Sequence, residues 1–214
     1  MKPEEYFSSD YLKARSRFVD VVEQSGGSLS HLSCQAEETG RELFTDVAWI
    51  GNKNPRSVLL LISGVHGVEG FAGSAIQLAA LNNLPPLADE MALVVIHALN
   101  PYGMANLRRF NGNNVDLNRN FHFSSDGWRG EQLKYAALDK FFNPPRPPFF
   151  DFFYFRALLI CVRFGNACVR QTLTGGQYHY PKGLYFGGNG LEPEAAGYIA
   201  WLKDSPLLNL DKLM

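Results

Sequence analysis

His66-Gly67-Val68-Glu69 sets an imidazole and a carboxylate three residues apart, directly after the apolar run Val58-Leu59-Leu60-Leu61-Ile62. At the end of a buried strand two such side chains can point into one cleft. A neutral imidazole and an ionised carboxylate are two of the three protein ligands that a catalytic zinc of the His₂Glu type needs. His-x-x-Glu alone arises often by chance. The bland alternatives are a satisfied loop histidine and a helix-start carboxylate favoured by the macrodipole. Gly64, Gly67 and Gly70 weigh toward the metal reading, because they suit backbone that turns sharply or approaches a ligand closely.

Three further segments extend the set: Asn100-Pro101-Tyr102-Gly103, Arg109-Phe110-Asn111, and Val115-Asp116-Leu117-Asn118-Arg119-Asn120-Phe121. The planar fork of an arginine with the amide of an asparagine, as in Asn118-Arg119, holds a terminal carboxylate well. Arg109 is placed to polarise a scissile carbonyl and stabilise the oxyanion that forms after attack. Arg108 beside it leaves the choice between neighbours open, and the bland reading of Arg119 is an ordinary surface ion pair.

As a set, residues 58–121 resemble the zinc carboxypeptidase superfamily, including its succinylglutamate desuccinylase and aspartoacylase branch. Ser63 to Ser74 is similar to a related, largely uncharacterised bacterial branch more closely still. The resemblance implies zinc held by His66 and Glu69, Arg109 as the carbonyl-polarising group, and Asn118 with Arg119 as the carboxylate-binding pair. It implies a small peptide or an N-acyl amino acid as substrate. In this superfamily the third ligand is a histidine on a later strand and the general base a glutamate later still. After Arg119 only His122 and His179 remain. His122 lies too close to the Asn-Arg pair, and His179 sits in a Gly-rich loop with no apolar strand before it. Glu192 and Glu194, in Glu192-Pro193-Glu194, read as a helix start. The expectation is therefore an incomplete zinc site in a domain truncated at its C-terminus, weakly active or inactive by itself. The alternative is a non-catalytic carboxylate-binding or assembly module. A phosphate loop is a poor reading, since Gly187-Gly188-Asn189-Gly190 has no following Lys-Ser/Thr.

The elements that must position these residues follow from periodicity. Residues 4–24 carry apolar positions near helical period, ended by Gly26-Gly27. Segments 29–32 and 44–50 read as strands, and Gly51 to Pro55 as a tight turn making a hairpin into the next strand. Val58 to Ile62 is expected to be a strand covered on both faces. Segment 70–81 reads as a helix and 91–98 as a second buried strand. Strand, loop, helix, strand, loop is a βαβ order, which opens both motif loops onto one sheet edge. Asn143 to Pro148 interrupts regular structure, a Phe-rich helical segment runs over 149–168, a Gly-rich loop follows, and 192–202 is a last helix. The expected fold is α/β, one domain over 1–214: a mixed, largely parallel sheet with helices on both faces, carboxypeptidase-like and incomplete at the C-terminus. A shortened sheet exposes a strand edge through which copies could associate.

Bulk properties exclude several classes. With 214 residues, 46% hydrophobic and 19% charged, the chain supports a full core. A net charge of -1 gives no case for nucleic acid or an anionic membrane, so any positive field must be local. Cys34, Cys161 and Cys168 are odd in number and without C-x-x-C spacing, which fits core thiols in a reducing compartment. The acidic N-terminus lacks a following apolar stretch, and Phe149 to Phe164 is too short and too charged to span a bilayer. A cytoplasmic location is expected.

Overall fold

The computed structural model describes residues 2–34, 40–122, 127–130, 134–146 and 149–209. They fall into two compact units: residues 1–112 with 192–214, and residues 113–191.

The first unit is built on four strands, β1 (Ser28–Ser33), β2 (Phe44–Gly51), β3 (Ser57–Ile62) and β4 (Met91–His97), in the order β1-β2-β4-β3. The sheet is mixed, but it is not largely parallel: β1–β2 and β2–β4 are antiparallel, and only β3–β4 is parallel. The expected hairpin from β2 into β3 is absent, because β4 lies between them. The turn itself forms, with Gly51 at φ +96° and a would-be Cβ 2.7 Å from the Met91 carbonyl oxygen. Sheet order follows burial. In β2 and β4 successive residues are buried on both faces, which suits central strands. β3 is an edge strand with Leu59, Leu60 and Ile62 exposed, contrary to the expectation of cover on both faces.

Helix α1 (Tyr11–Gln24) starts where Asp10 caps it, its carboxylate accepting from the Lys13 N–H at 2.9 Å. That cap separates α1 from a 3₁₀ turn over Pro3–Tyr6, so the expected single helix over 4–24 is two elements. Phe18, Val21 and Val22 of α1 meet Leu78 and Leu81 of α2 (Gly70–Asn82) over Ala48, Ile50, Leu93 and Val95 of the sheet. Short α3 (Pro101–Ala105) follows β4. On the opposite sheet face, Trp201 of the last helix (Pro193–Asp204) shares a groove with Val47 and Trp49. β3–α2–β4 is the expected βαβ unit.

A polar row crosses the sheet under α1. His31 pairs with Asp46 and Asp46 with His97 in register. Asp46 is fully buried and takes a two-pronged contact from Arg15 (2.7 and 3.0 Å) and one from His31 Nδ1 at 2.5 Å. The buried carboxylate is thereby paired, as burial of a charge requires.

The second unit holds α4 (Tyr135–Phe142), α5 (Phe153–Phe164) and α6 (Asn166–Thr174); the first unit's helix at 193–204 is α7. The Phe-rich segment is two helices rather than one, parted at Gly165, whose φ of +82° most side chains resist. Pro147 and Pro148 of the proline-rich stretch lie outside the described residues.

Candidate functional site

The loop after β3 and the loop after β4 are zipped together by backbone. Leu99 N–H donates to the Ser63 carbonyl (3.0 Å) and Asn100 N–H to that of Gly64 (2.7 Å). Farther along, Gly67 N–H donates to the Arg109 carbonyl (3.1 Å) and Val68 N–H to that of Arg108 (3.0 Å). Asn100 governs this second contact. Its Oδ1 caps α3 through the Gly103 N–H (2.8 Å), while its Nδ2 donates to the Arg109 carbonyl (3.2 Å). Gly67 cannot carry a side chain, since a Cβ there would stand 2.1 Å from the Gly103 carbonyl carbon. The Asn-Pro-x-Gly motif thus presses the segment bearing Arg109 onto the loop bearing His66.

The result is a three-membered cluster. Arg109 Nη1 donates to Glu69 Oε1 at 2.6 Å, Arg109 Nη2 faces His66 Nε2 at 3.0 Å, and His66 Nδ1 faces Glu69 Oε2 at 3.1 Å. Arg108, the open alternative, is exposed, and the guanidinium in the cluster is that of Arg109. A guanidinium only donates, so Nε2 of His66 is the acceptor and Nδ1 carries the proton that goes to Glu69. Glu69 sits at the N-cap of α2 without capping it. Its charge is turned to the cluster instead.

The donor set fits a divalent cation as two ligands. Imidazole and carboxylate already converge on a cationic group, the Arg109 guanidinium, and the atoms turned to it, His66 Nε2 and Glu69 Oε1, are an unprotonated imidazole nitrogen and a carboxylate oxygen, the donor types zinc takes. Among the described residues no group of three His, Cys, Asp or Glu side chains could hold a metal ion.

In the second unit, Asp116 opens a 3₁₀ turn over Leu117–Arg119, its Oδ1 accepting from the Asn118 N–H. Arg119 Nη1 donates to Asp116 Oδ2 and Nη2 to the Thr174 carbonyl, both at 2.5 Å, and the guanidinium lies over the Tyr185 ring. Asn118 is exposed. Val115, Leu117 and Asn120 are buried, and Asn120 bridges the carbonyls of Gly187 and Gly190. Much of this motif therefore builds structure. His122 Nε2 meets the Tyr178 hydroxyl at 2.8 Å beside the Trp128 ring. His179 is exposed in its loop.

Glu192 is the N-cap residue of α7 and Glu194 lies in its first turn, as the helix-start reading expected, but the Glu192 side chain makes no cap bond. Instead Asn111 Nδ2 donates to Glu192 Oε2 (2.7 Å) and Glu194 Oε2 (3.3 Å). Glu194 is buried, its Oε1 has no hydrogen-bond partner among the described residues, and burial, with Glu192 nearby, raises its pKa. The helix-start reading stopped at the first turn of α7. Only the Asn of Arg-x-Asn hinted that a polar partner was near. His97 also went unnoticed: it is buried against Phe18, with Nε2 on Ser74 Oγ at 3.0 Å, and burial lowers its pKa to about 4. Cys34 has its thiol pushed up to about 11 by burial, which leaves it a poor nucleophile.

Residues 7–196 match a family described as "Protein of unknown function (DUF2817)". The chain belongs to that family. Comparison with curated protein sequences gives no match. Among solved structures, the family member is similar to bovine thrombin-activatable fibrinolysis inhibitor in complex with tick carboxypeptidase inhibitor, at 12% identity and a TM-score of 0.46 over 92% of this chain and 56% of that one. It is also similar to Macrostomum lignano glutaminyl cyclase, at 23% identity and a TM-score of 0.33 over 42% of this chain and 31% of that one. The chain thus spans about a third to about half the length of these two.

Proposed function

We propose that this family member carries part of the centre of a metal-dependent amide hydrolase that acts near a substrate carboxylate. The observation that carries the reading is the convergence of His66, Glu69 and Arg109 where two adjacent strands release their loops. His66 and Glu69 are the residues that would hold zinc. When bound, zinc activates water and polarises a carbonyl. Arg109 brings a permanent charge, held by its own backbone carbonyl, to the side where an oxyanion develops. Asn118 offers an exposed amide, and Arg119 uses two of its five donors on Asp116 and Thr174, so its fork is rigidly presented. These two are the proposed receivers of the carboxylate of a short peptide or N-acyl amino acid.

With two protein ligands in place of three, the chain should hold zinc substoichiometrically and turn over such substrates slowly or not at all. Metal analysis after gel filtration checks this, with hydrolysis measured in parallel. His66→Ala should remove what zinc is bound, and His179→Ala should leave it. Stoichiometric zinc lost in His179→Ala, or fast turnover abolished by chelator, would refute the incomplete-site reading. The missing third donor among the described residues favours a second reading, a non-catalytic carboxylate-binding module. That reading requires carboxylate binding that survives chelation and is lost in Arg119→Ala.

A further inference from the structure

Helix α5 is apolar on two opposite sides, and only one is used. Ala157, Ile160, Cys161 and Phe164, spaced i, i+3, i+4 and i+7, form a half-buried stripe. Ala157, Ile160 and Cys161 border an apolar cavity of about 350 Å³ with Phe141 of α4 and Val169 and Leu173 of α6. A half-turn away, Tyr154, Phe155, Leu158, Leu159 and Val162 form a second apolar face. Tyr154 is 88% and Val162 76% exposed, and no residue of the helix is buried. Phe149, Phe150 and Phe152, just ahead of the helix, are exposed as well, Phe149 to 94%. A water-facing helix would place polar groups there. An exposed apolar surface of this extent marks an interaction site.

Charge identifies the partner. From Phe149 to Leu191 the sequence has four cations, Arg156, Arg163, Arg170 and Lys182, against one acid, Asp151, whose carboxylate accepts from the Phe153 N–H at the start of α5. The net charge of the whole chain averages over this segment. Arg156 and Arg163 are seven residues apart and so lie on one flank of α5, their guanidinium groups over the rings of Phe141 (5.4 Å) and Phe164 (5.5 Å). Lys134 lies over the Phe164 ring from α4's side (5.2 Å). Cations on a flank, with their stems along apolar surface, reach phosphate groups while the adjoining face enters the acyl region. A second copy of the chain would bring the same cationic segment against its like and be repelled. An anionic bilayer is complementary.

We infer that α5 and the aromatic run before it form a docking face for an anionic lipid bilayer, with the helix lying in the interface plane. Its 12 residues extend about 18 Å at 1.5 Å each, short of the roughly 30 Å of a hydrocarbon core. Among the described residues no helix is long and apolar enough to cross a membrane.

Co-sedimentation of the 214-residue chain with sonicated vesicles tests this. Vesicles containing phosphatidylglycerol should bind at least tenfold more protein than pure phosphatidylcholine, and the excess should fall in high salt. Phe155→Glu/Val162→Glu alters only exposed positions and should reduce binding to the anionic vesicles at least tenfold with an unchanged circular dichroism spectrum. Arg156→Gln/Arg163→Gln should remove most of the preference for the anionic lipid. Equal binding to both vesicle types, or no binding to either, overturns the inference. So does sedimentation equilibrium showing a dimer that Phe155→Glu/Val162→Glu dissolves without any vesicle binding, since the face would then belong to a second copy.

Discussion

Lowering the pH from 7 to 4 forces a proton onto His97, and the fold should lose stability as a result. The imidazole is buried under α1, stacked on Phe18 with ring centroids 4.6 Å apart, and its Nδ1 has no hydrogen-bond partner among the described residues. Burial is the largest influence on it. Asp46 favours the protonated form and Arg15 opposes it, and the net effect takes the pKa from 6.5 down to about 4. A folded pKa below the unfolded one contributes stability that is complete above pH 6.5 and lost as pH falls through the folded value. At about 1.36 kcal/mol per pK unit the full difference is on the order of 3 kcal/mol, most of which is gone by pH 4. Against a typical domain stability of about 5–15 kcal/mol that is a large share. Urea unfolding followed by tryptophan fluorescence at pH 7, 5.5 and 4 measures it, Trp49 being paired with Val94 on His97's own strand. His97→Gln should be less stable at pH 7, through lost packing, but should lose about 3 kcal/mol less than the parent on going to pH 4. Parallel pH profiles for the two proteins would refute the assignment of the slope to His97.

Glu194 should act with the opposite sign: its pKa is raised, chiefly by burial, so its favourable contribution is complete below 4.5 and lost as pH rises through the folded value. Glu194→Gln keeps an acceptor for Asn111 and should raise the urea midpoint at pH 7–8 while flattening the fall above pH 4.5; a lower midpoint at pH 8 would show that the carboxylate is needed as a charge. At the proposed metal site, Arg109 holds the two side chains proposed to bind zinc, so on that reading Arg109→Met should tighten zinc binding, by about tenfold or about 1.4 kcal/mol. Titration with a chromophoric competitor reads this directly, and unchanged or weaker binding would mean that guanidinium and metal do not compete.

The sequence reveals elements far better than their neighbours. The apolar runs at 44–50 and 91–98 and the small-residue helix at 70–81 match β2, β4 and α2 within a residue or two, because burial on two faces or one writes a local period. Val58 to Ile62 writes the same unbroken apolar pattern as a central strand yet lies at an edge. Periodicity records how much a segment could bury and not which strand pairs with it. The βαβ crossover through α2 puts β4 beside β3, and β4's other side then takes β2, so the tight turn at Gly51 leads away from its sequence neighbour. The cluster of His66, Glu69 and Arg109 was legible because each motif carries its own backbone device, Gly67 and Asn100 above all. Asn111 with Glu194 was not, since its partners are 83 residues apart and no local pattern announces a buried carboxyl group.

The two arginines of the motif set each meet a carboxylate, and exposure separates their roles. The side chains of Arg109 and Glu69 are 36% and 59% exposed, and exposed pairs contribute only about 0–1 kcal/mol. Exchanging Glu69 for a ligand's oxygen or a developing oxyanion therefore costs Arg109 little. Arg119 and Asp116 are 17% and 0% exposed, and removing one partner of a buried pair leaves an uncompensated charge at a cost of about 3–5 kcal/mol. Arg119 must stay on Asp116 and can serve a ligand only with the donors that bond leaves over, as a fixed fork. Arg109 is the cation able to change partners, and the side chains it would release, His66 and Glu69, are the two proposed to hold the metal.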